Sequence, residues 1–214
     1  MAYEFDGINQ YISAANPVSD TPITLACWFN SQDDINNNIL LYVGSPTTTQ
    51  RCTLSAAGNL AGDPVRVFSA GNLTTNGANT STGWTVNTWN HACGVFSSNS
   101  SRAVYLNGGG KVSTTANVGP PSSAWTEMAI SSQIASSSRT SYFDGLIAEA
   151  GIWNAALTDN EVASLAKGMT CNLVRPQSLV FYAPLIRNLQ DVRRGLTLTN
   201  NNTAIVANHP RVYR

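Results

Sequence analysis

Residues 23–29, Ile23-Thr24-Leu25-Ala26-Cys27-Trp28-Phe29, place Ile23, Leu25, Cys27 and Phe29 on one side of an extended chain. A period of two, carried by β-branched and aromatic residues, marks a strand that packs one face on a core. The same period recurs on both sides of this stretch. It appears at Tyr3 to Asp6, Tyr11 to Ala14, Ile39 to Val43, Arg51 to Ser55 and Val65 to Ser69. It returns at Trp89 to Phe96, Arg102 to Leu106, Glu127 to Ser131 and Gly145 to Trp153. Strands about ten residues apart with Gly, Asn, Ser and Pro between them predict an all-β antiparallel jelly-roll sandwich.

Two local signals refine that outline. Asn107-Gly108-Gly109-Gly110 supplies the positive-φ residues of a hairpin turn between two strands. Thr158-Asp159-Asn160-Glu161 is a capping box, followed by the apolar stripe Val162, Leu165, Ala166 and the stop Gly168. This predicts one short helix.

The 214 residues carry twelve basic and twelve acidic groups, net zero, and a charged share of 11% against about 25% in ordinary domains. Ser, Thr, Asn and Gln number 72, so neutral amides and hydroxyls do the solvating. Such a balance excludes a polybasic nucleic-acid binder, a charge-driven disordered chain and a coiled coil. The zero hides a division. Residues 1–171 hold six basic and eleven acidic groups, net −5, whereas residues 172–214 hold six arginines against Asp191, net +5. The expected organisation is therefore a jelly roll over 1–171 and a basic C-terminal extension over 172–214. That extension has strand signals at Ser178 to Leu185 and Leu196 to Thr199, and would pack on the domain or on a neighbouring subunit.

The opening Met1-Ala2-Tyr3-Glu4-Phe5-Asp6 has neither a basic nor an apolar leader region, and no apolar run is long enough to cross a membrane. Synthesis in a cytosol is the expectation. Cys27, Cys52, Cys93 and Cys171 lack any C-x-x-C spacing and read as buried free thiols, with disulfides and metal ligation as alternatives. The sequons at Asn72, Asn79, Asn99 and Asn201 carry little weight in a chain so rich in Asn and Ser.

Longer stretches resemble a known family. Phe5-Asp6-Gly7, Tyr11-Ile12 and the 23–29 strand look like the opening of a laminin-G-like jelly roll of the concanavalin A-like lectin/glucanase superfamily. Trp89-Asn90-His91-Ala92 and Ala103-Val104-Tyr105-Leu106-Asn107-Gly108 resemble its middle strands. Phe143-Asp144-Gly145-Leu146-Ile147-Ala148-Glu149 through Trp153-Asn154 and Ala156 to Val162 resemble its closing segment. The resemblance covers about residues 3–168 and implies two curved antiparallel sheets. It also makes calcium a candidate cofactor, with Asp6 and Glu149 as candidate ligands, although Ala148 stands where the family usually has an Asp. A purely structural role for both carboxylates is the competing reading. Ser178 to Leu185 and Asn208-His209-Pro210-Arg211-Val212-Tyr213 look like segments that accompany such modules in tailed-phage structural proteins.

The chemistry-bearing residues point away from catalysis. Glycosidases of this fold set two carboxylates on one strand face, and Glu4, Glu127, Glu149 and Glu161 have no such spacing. No nucleophile elbow or phosphate-binding loop occurs. His91 reads as an inward, hydrogen-bonded core residue. Sugar binding needs exposed rings and amides. Trp28, Trp89 and Trp153 lie in strands and are expected in the core. Trp84, Trp125 and Tyr142 fall in polar connections and are the candidate glycan platform, with Asn76, Asn79 and Asn87 beside them. Packing beneath long loops is the alternative for these rings. Arg187, Arg193, Arg194 and Arg211 are the candidate docking residues of the basic extension. The expectation is a non-enzymatic virion decoration protein of a tailed phage, partnered by other virion proteins, copies of itself or surface glycans. It would bind no nucleic acid and insert in no membrane. A free-standing carbohydrate-binding lectin is the alternative and a glycoside hydrolase a distant third.

Overall fold

The computed structural model describes residues 2–212. Met1, and Tyr213 and Arg214 at the end of the basic extension, lie outside the described residues. The strands are β1 (Ala2–Asp6), β2 (Tyr11–Ala15), β3 (Ile23–Ser31), β4 (Asn37–Gly44), β5 (Arg51–Ala57) and β6 (Pro64–Ala70). There follow β7 (Thr75–Gly83), β8 (Asn90–Ser98), β9 (Ser101–Leu106), β10 (Gly109–Thr114), β11 (Glu127–Ile130), β12 (Gln133–Ala135), β13 (Ser138–Thr140) and β14 (Asp144–Trp153). The helix α1 (Asp159–Ala166) precedes β15 (Leu179–Ala183), β16 (Thr199–Asn201) and β17 (Ile205–Ala207).

Two antiparallel sheets make the sandwich. One runs β10-β9-β8-β3-β14-β1-β17, with β15 also on β14; the other runs β16-β2-β11-β4-β5-β6-β7. Between them lie Phe5, Ile12, Leu25, Cys27, Phe29, Leu54, Val67, Phe96, Ile130 and Ile147, all buried. The parity read at 23–29 is the parity observed, since Ile23, Leu25, Cys27 and Phe29 all enter this core. The two sheets approach closely at Gly94, where a Cβ would stand 2.4 Å from the Val67 Cγ1 of the opposite sheet. All four cysteines are buried and free.

The eight-stranded sheet has a second apolar layer on its outer face. Ala26, Cys93, Val95, Tyr105 and Trp153 are covered there by Leu157, Val162 and Leu165 from α1 and its approach, and by Cys171, Val174 and Leu179. Both halves of the capping box form: Glu161 N–H donates to Thr158 Oγ1, and Thr158 N–H donates to Glu161 Oε2. The Trp153 indole N–H donates to the Val174 carbonyl at 2.9 Å.

The last 43 residues enter both sheets. β15 pairs with β14, β17 with β1, and β16 with β2. Their sole carboxylate, Asp191, is buried and accepts backbone N–H groups from Tyr182, Arg193, Arg194 and Leu196. Residue β14 Glu149 marks the junction. β14 pairs with β1 up to Ile147 and with β15 from Ala150, and Glu149 sits between them at φ 53° in a bulge.

The sequence did not disclose β7, β12, β13 or β17. β7, Thr-Asn-Gly-Ala-Asn-Thr-Ser-Thr-Gly, has almost no apolar residue because it is a sheet edge with only Ala78 in the core. The hairpin β12–β13 turns at Ser136 and Ser137, both at positive φ, and lays Ile134 on Ile39, Tyr42 and Ala129 across the outer face of the seven-stranded sheet.

Candidate functional site

Alternation sends Cys52, Leu54, Ala56, Val65 and Val67 into the core. It therefore sends Arg51, Thr53 and Ser55 of β5, and Arg66 and Phe68 of β6, to the outer face of the seven-stranded sheet. Antiparallel register puts Thr53 opposite Phe68 and Ser55 opposite Arg66. These residues, with Asn37 and Gln133, line a depression of about 90 Å³. A neighbouring pocket of about 350 Å³ is lined by Gly7, Asn36, Asn37, Asn38, Ser141 and Tyr142. Asn37 borders both, so the two depressions adjoin, and together they are termed the groove.

A hydrogen-bonded chain stiffens the groove along its length. Arg51 Nε–H donates to Gln133 Oε1 at 2.9 Å, and Gln133 Nε2 donates to Ser141 Oγ at 3.2 Å. Arg51 also donates through Nη1 to the Thr49 carbonyl. Beyond Tyr142, its ring meets Tyr11 at 6.2 Å, and the Arg139 guanidinium lies 3.9 Å from the centre of the Tyr11 ring while pairing with Glu127. The lining is thus amides, hydroxyls, two guanidiniums and two rings, with no carboxylate.

Of the six candidate platform residues, Tyr142 lines the groove. Asn79 is exposed and opposite Arg66 in register, but lines neither pocket. Trp84 and Trp125 are a correction. They are only 5% and 6% exposed, lie in the intersheet core and present no platform. Trp84 packs edge-on against Phe29. The long connections carrying these rings fold back over the ends of the sandwich, and large rings close such ends well. Asn76 turns inward and accepts from the buried Arg102 guanidinium at 3.0 Å. Asn87 is exposed at a turn and lines neither pocket.

The strand tryptophans also divide differently from expectation. Trp153 is fully buried, but Trp28 and Trp89 are only half-buried. Trp28 has the opposite parity to Phe29 and meets His91 edge-on beyond the cover given by α1. His91 is accordingly buried on the outer face of its sheet, not between the sheets. Its Nδ1 has no partner among the described residues, and burial pushes its pKa down to about 3.

The calcium ligands do not fit one ion. Asp6 pairs with Asp144 in register, and Glu149 lies five residues further along β14, about 16 Å away. Burial would raise the Asp6 carboxyl, yet N–H donation from Ile8, Asn9 and Gln10 leaves it lowered. Glu149 is 3% exposed, accepts the Tyr182 hydroxyl on Oε2 and has His209 Nε2 3.0 Å from Oε1. Asp144 is raised by burial and by the neighbouring Asp33, Asp6 and Glu4. Among the described residues no three carboxylate, imidazole or thiol side chains converge as a metal site would require.

Arg187, Arg193, Arg194 and Arg211 are exposed and form no ion pair among the described residues, while Arg175 pairs with Glu161. No described helix is long and apolar enough to cross a membrane.

Solved structures share the fold. A native heptameric SAP-like pentraxin from Limulus polyphemus superposes with a TM-score of 0.67 at 15% identity, over 95% of this chain and 93% of its own. Domain 4 of AbnA, an extracellular arabinanase from Geobacillus stearothermophilus solved with arabinotriose, gives 0.61 at 19% identity over 77% and 76%. The CBM40 of Ruminococcus gnavus IT-sialidase, bound to α2,3 sialyllactose, gives 0.59 at 11% identity over 78% and 98%. No curated protein matches the sequence. The Laminin_G_3 family model, described as concanavalin A-like lectin/glucanases superfamily, matches residues 6–163, and the chain belongs to that family.

Proposed function

We propose that the chain is a non-enzymatic carbohydrate-binding module whose ligand lies in the groove on the outer face of the seven-stranded sheet. The observation that carries this reading is the groove's composition. The exposed Asn36 and half-buried Asn37 supply amides for sugar hydroxyls above the buried Asn38, Thr53, Ser55 and Gln133, and Tyr142 supplies a ring at one end. Carbohydrate-binding relatives in fold, including the arabinotriose and sialyllactose complexes, support it. A hydrolase is disfavoured because hydrolysis needs two carboxylates facing one bond, and the groove's lining has none.

The test is a glycan array followed by titration calorimetry with the tightest hit. Saturable binding that weakens tenfold or more in Tyr142→Ala, with Trp125→Phe unchanged, is the expected result. A blank array, or binding indifferent to Tyr142→Ala, contradicts the reading.

The virion role rests on a narrower footing. The exposed guanidiniums of Arg187, Arg193, Arg194 and Arg211, none in an ion pair among the described residues, suit docking on an acidic neighbour in a particle or on another copy of the chain. Arg193→Glu with Arg194→Glu abolishing incorporation into particles would favour that role, and unchanged incorporation would remove it.

A further inference from the structure

We infer that the groove selects sugars bearing a carboxylate, a uronic or sialic acid, through Arg51 and Arg66; this rests on the glycan-binding reading above. The two guanidiniums converge on one ring. Arg66 is two residues before Phe68 on β6, and Arg51 of β5 is opposite Ala70, two residues beyond it. Their guanidinium carbons lie 5.3 Å and 5.1 Å from the Phe68 ring centre. The phenyl ring thus gathers two positive charges over a floor that includes the buried Thr53 and Ser55.

Elsewhere in the chain Arg102, Arg139 and Arg175 each make two or more side-chain hydrogen bonds. Arg102 is buried and donates to Asn76 and to the Asn99 and Ala116 carbonyls. Arg139 pairs with Glu127, and Arg175 grips Glu161 through Nε and Nη2. Arg66 makes no hydrogen bond or ion pair among the described residues, and Arg51 keeps Nη2 uncommitted while its other bonds fix its orientation. The first 171 residues contain only six basic side chains and are net negative, yet two of those six share a groove without a counter-ion. A pair of like charges held together in a half-buried groove is disfavoured until an anion joins them. A planar carboxylate matches the guanidinium fork, and the sugar's hydroxyls then meet the adjoining amides.

The test compares ligands that differ only at the carboxyl group. Oligogalacturonides against their methyl esters probe uronic acids, and sialyllactose against its own methyl ester probes sialic acids, all by calorimetry at two salt concentrations. The expected result is that at least one acid binds tenfold or more tighter than its neutral counterpart, and that the gap closes in Arg66→Gln. Arg66→Lys, which keeps charge but loses the fork, should keep only part of the gap, and Arg187→Gln, with the same charge loss on the opposite segment, should keep all of it. Acid and neutral forms binding equally, with Arg66→Gln harmless, would overturn the carboxylate inference and leave the glycan reading standing. Absence of binding by every acidic and neutral sugar would overturn both.

Discussion

The two outer faces of this sandwich are built to opposite ends. On the eight-stranded sheet, α1 and the segment from Cys171 to Leu179 cover Ala26, Val95 and Trp153 with apolar side chains. On the seven-stranded sheet only the short hairpin β12–β13 lies across the strands, and Arg51, Arg66, Phe68 and Asn37 remain half-buried beside it. One face contributes stability by excluding water, whereas the other carries Arg66, whose guanidinium makes no hydrogen bond or ion pair among the described residues. That difference is the reason the proposed ligand site is assigned to the seven-stranded sheet.

Substitutions should separate the faces by the quantity they change. Trp153→Ala removes the largest side chain of the covered face together with its bond to Val174, and should cost about 3–5 kcal/mol in chemical denaturation with little direct effect on ligand affinity. Glu149→Leu should cost about 1–3 kcal/mol, because the Tyr182 hydroxyl and His209 lose the buried carboxylate that ties the last strands to β14. Equal stability after that change would mean that the C-terminal strands hold without this junction.

His91 gives a pH-dependent contrast. Its folded pKa of about 3 lies below the unfolded value near 6.5, so the unfolded chain binds more protons between them. Its contribution to stability is therefore full above about pH 6.5 and falls by up to about 1.4 kcal/mol per pH unit as pH drops towards 3. His91→Gln should flatten that slope between pH 4 and 6, and an unchanged slope would remove His91 as its source. Thr158→Ala should cost about 1 kcal/mol through the lost capping box. The smallest stability effect belongs to the open face: Arg66→Gln should stay within about 0.5 kcal/mol of the parent while changing ligand affinity.

The sequence made the fold legible wherever one strand face is apolar. Alternation located β1 to β6, β8, β9, β11 and β14 within a residue or two, and the Thr158 to Glu161 spacing located α1. Edge and hairpin strands escaped because they bury almost nothing, as β7 illustrates. The site was harder to read. Loop position suggested exposure for Trp84 and Trp125, but long connections close the ends of a sandwich and bury their rings. The half-exposure of Trp28 was latent in the parity of 23–29, which places it opposite Phe29. Arg51-Cys52-Thr53-Leu54-Ser55 and Val65-Arg66-Val67-Phe68 carried the alternation that sends both arginines outward. Only the pairing of β5 with β6 brings them to one ring, and register between separate strands is not written in either strand alone.

The charge division at Cys171 takes on a different meaning in three dimensions. The net +5 segment supplies β15, β16 and β17 and so belongs to both sheets. Its exposed arginines lie on loops, whereas the guanidiniums of the groove come from the net-negative portion.

The central claim is tested most directly by two-dimensional NMR of the arginine Nε–Hε resonances during titration with an acidic oligosaccharide that binds. Saturable shifts at Arg51 and Arg66, with Arg102 and Arg175 unmoved, are the expected result. Shifts confined to Arg187, Arg193, Arg194 or Arg211, or to the covered face, would contradict it.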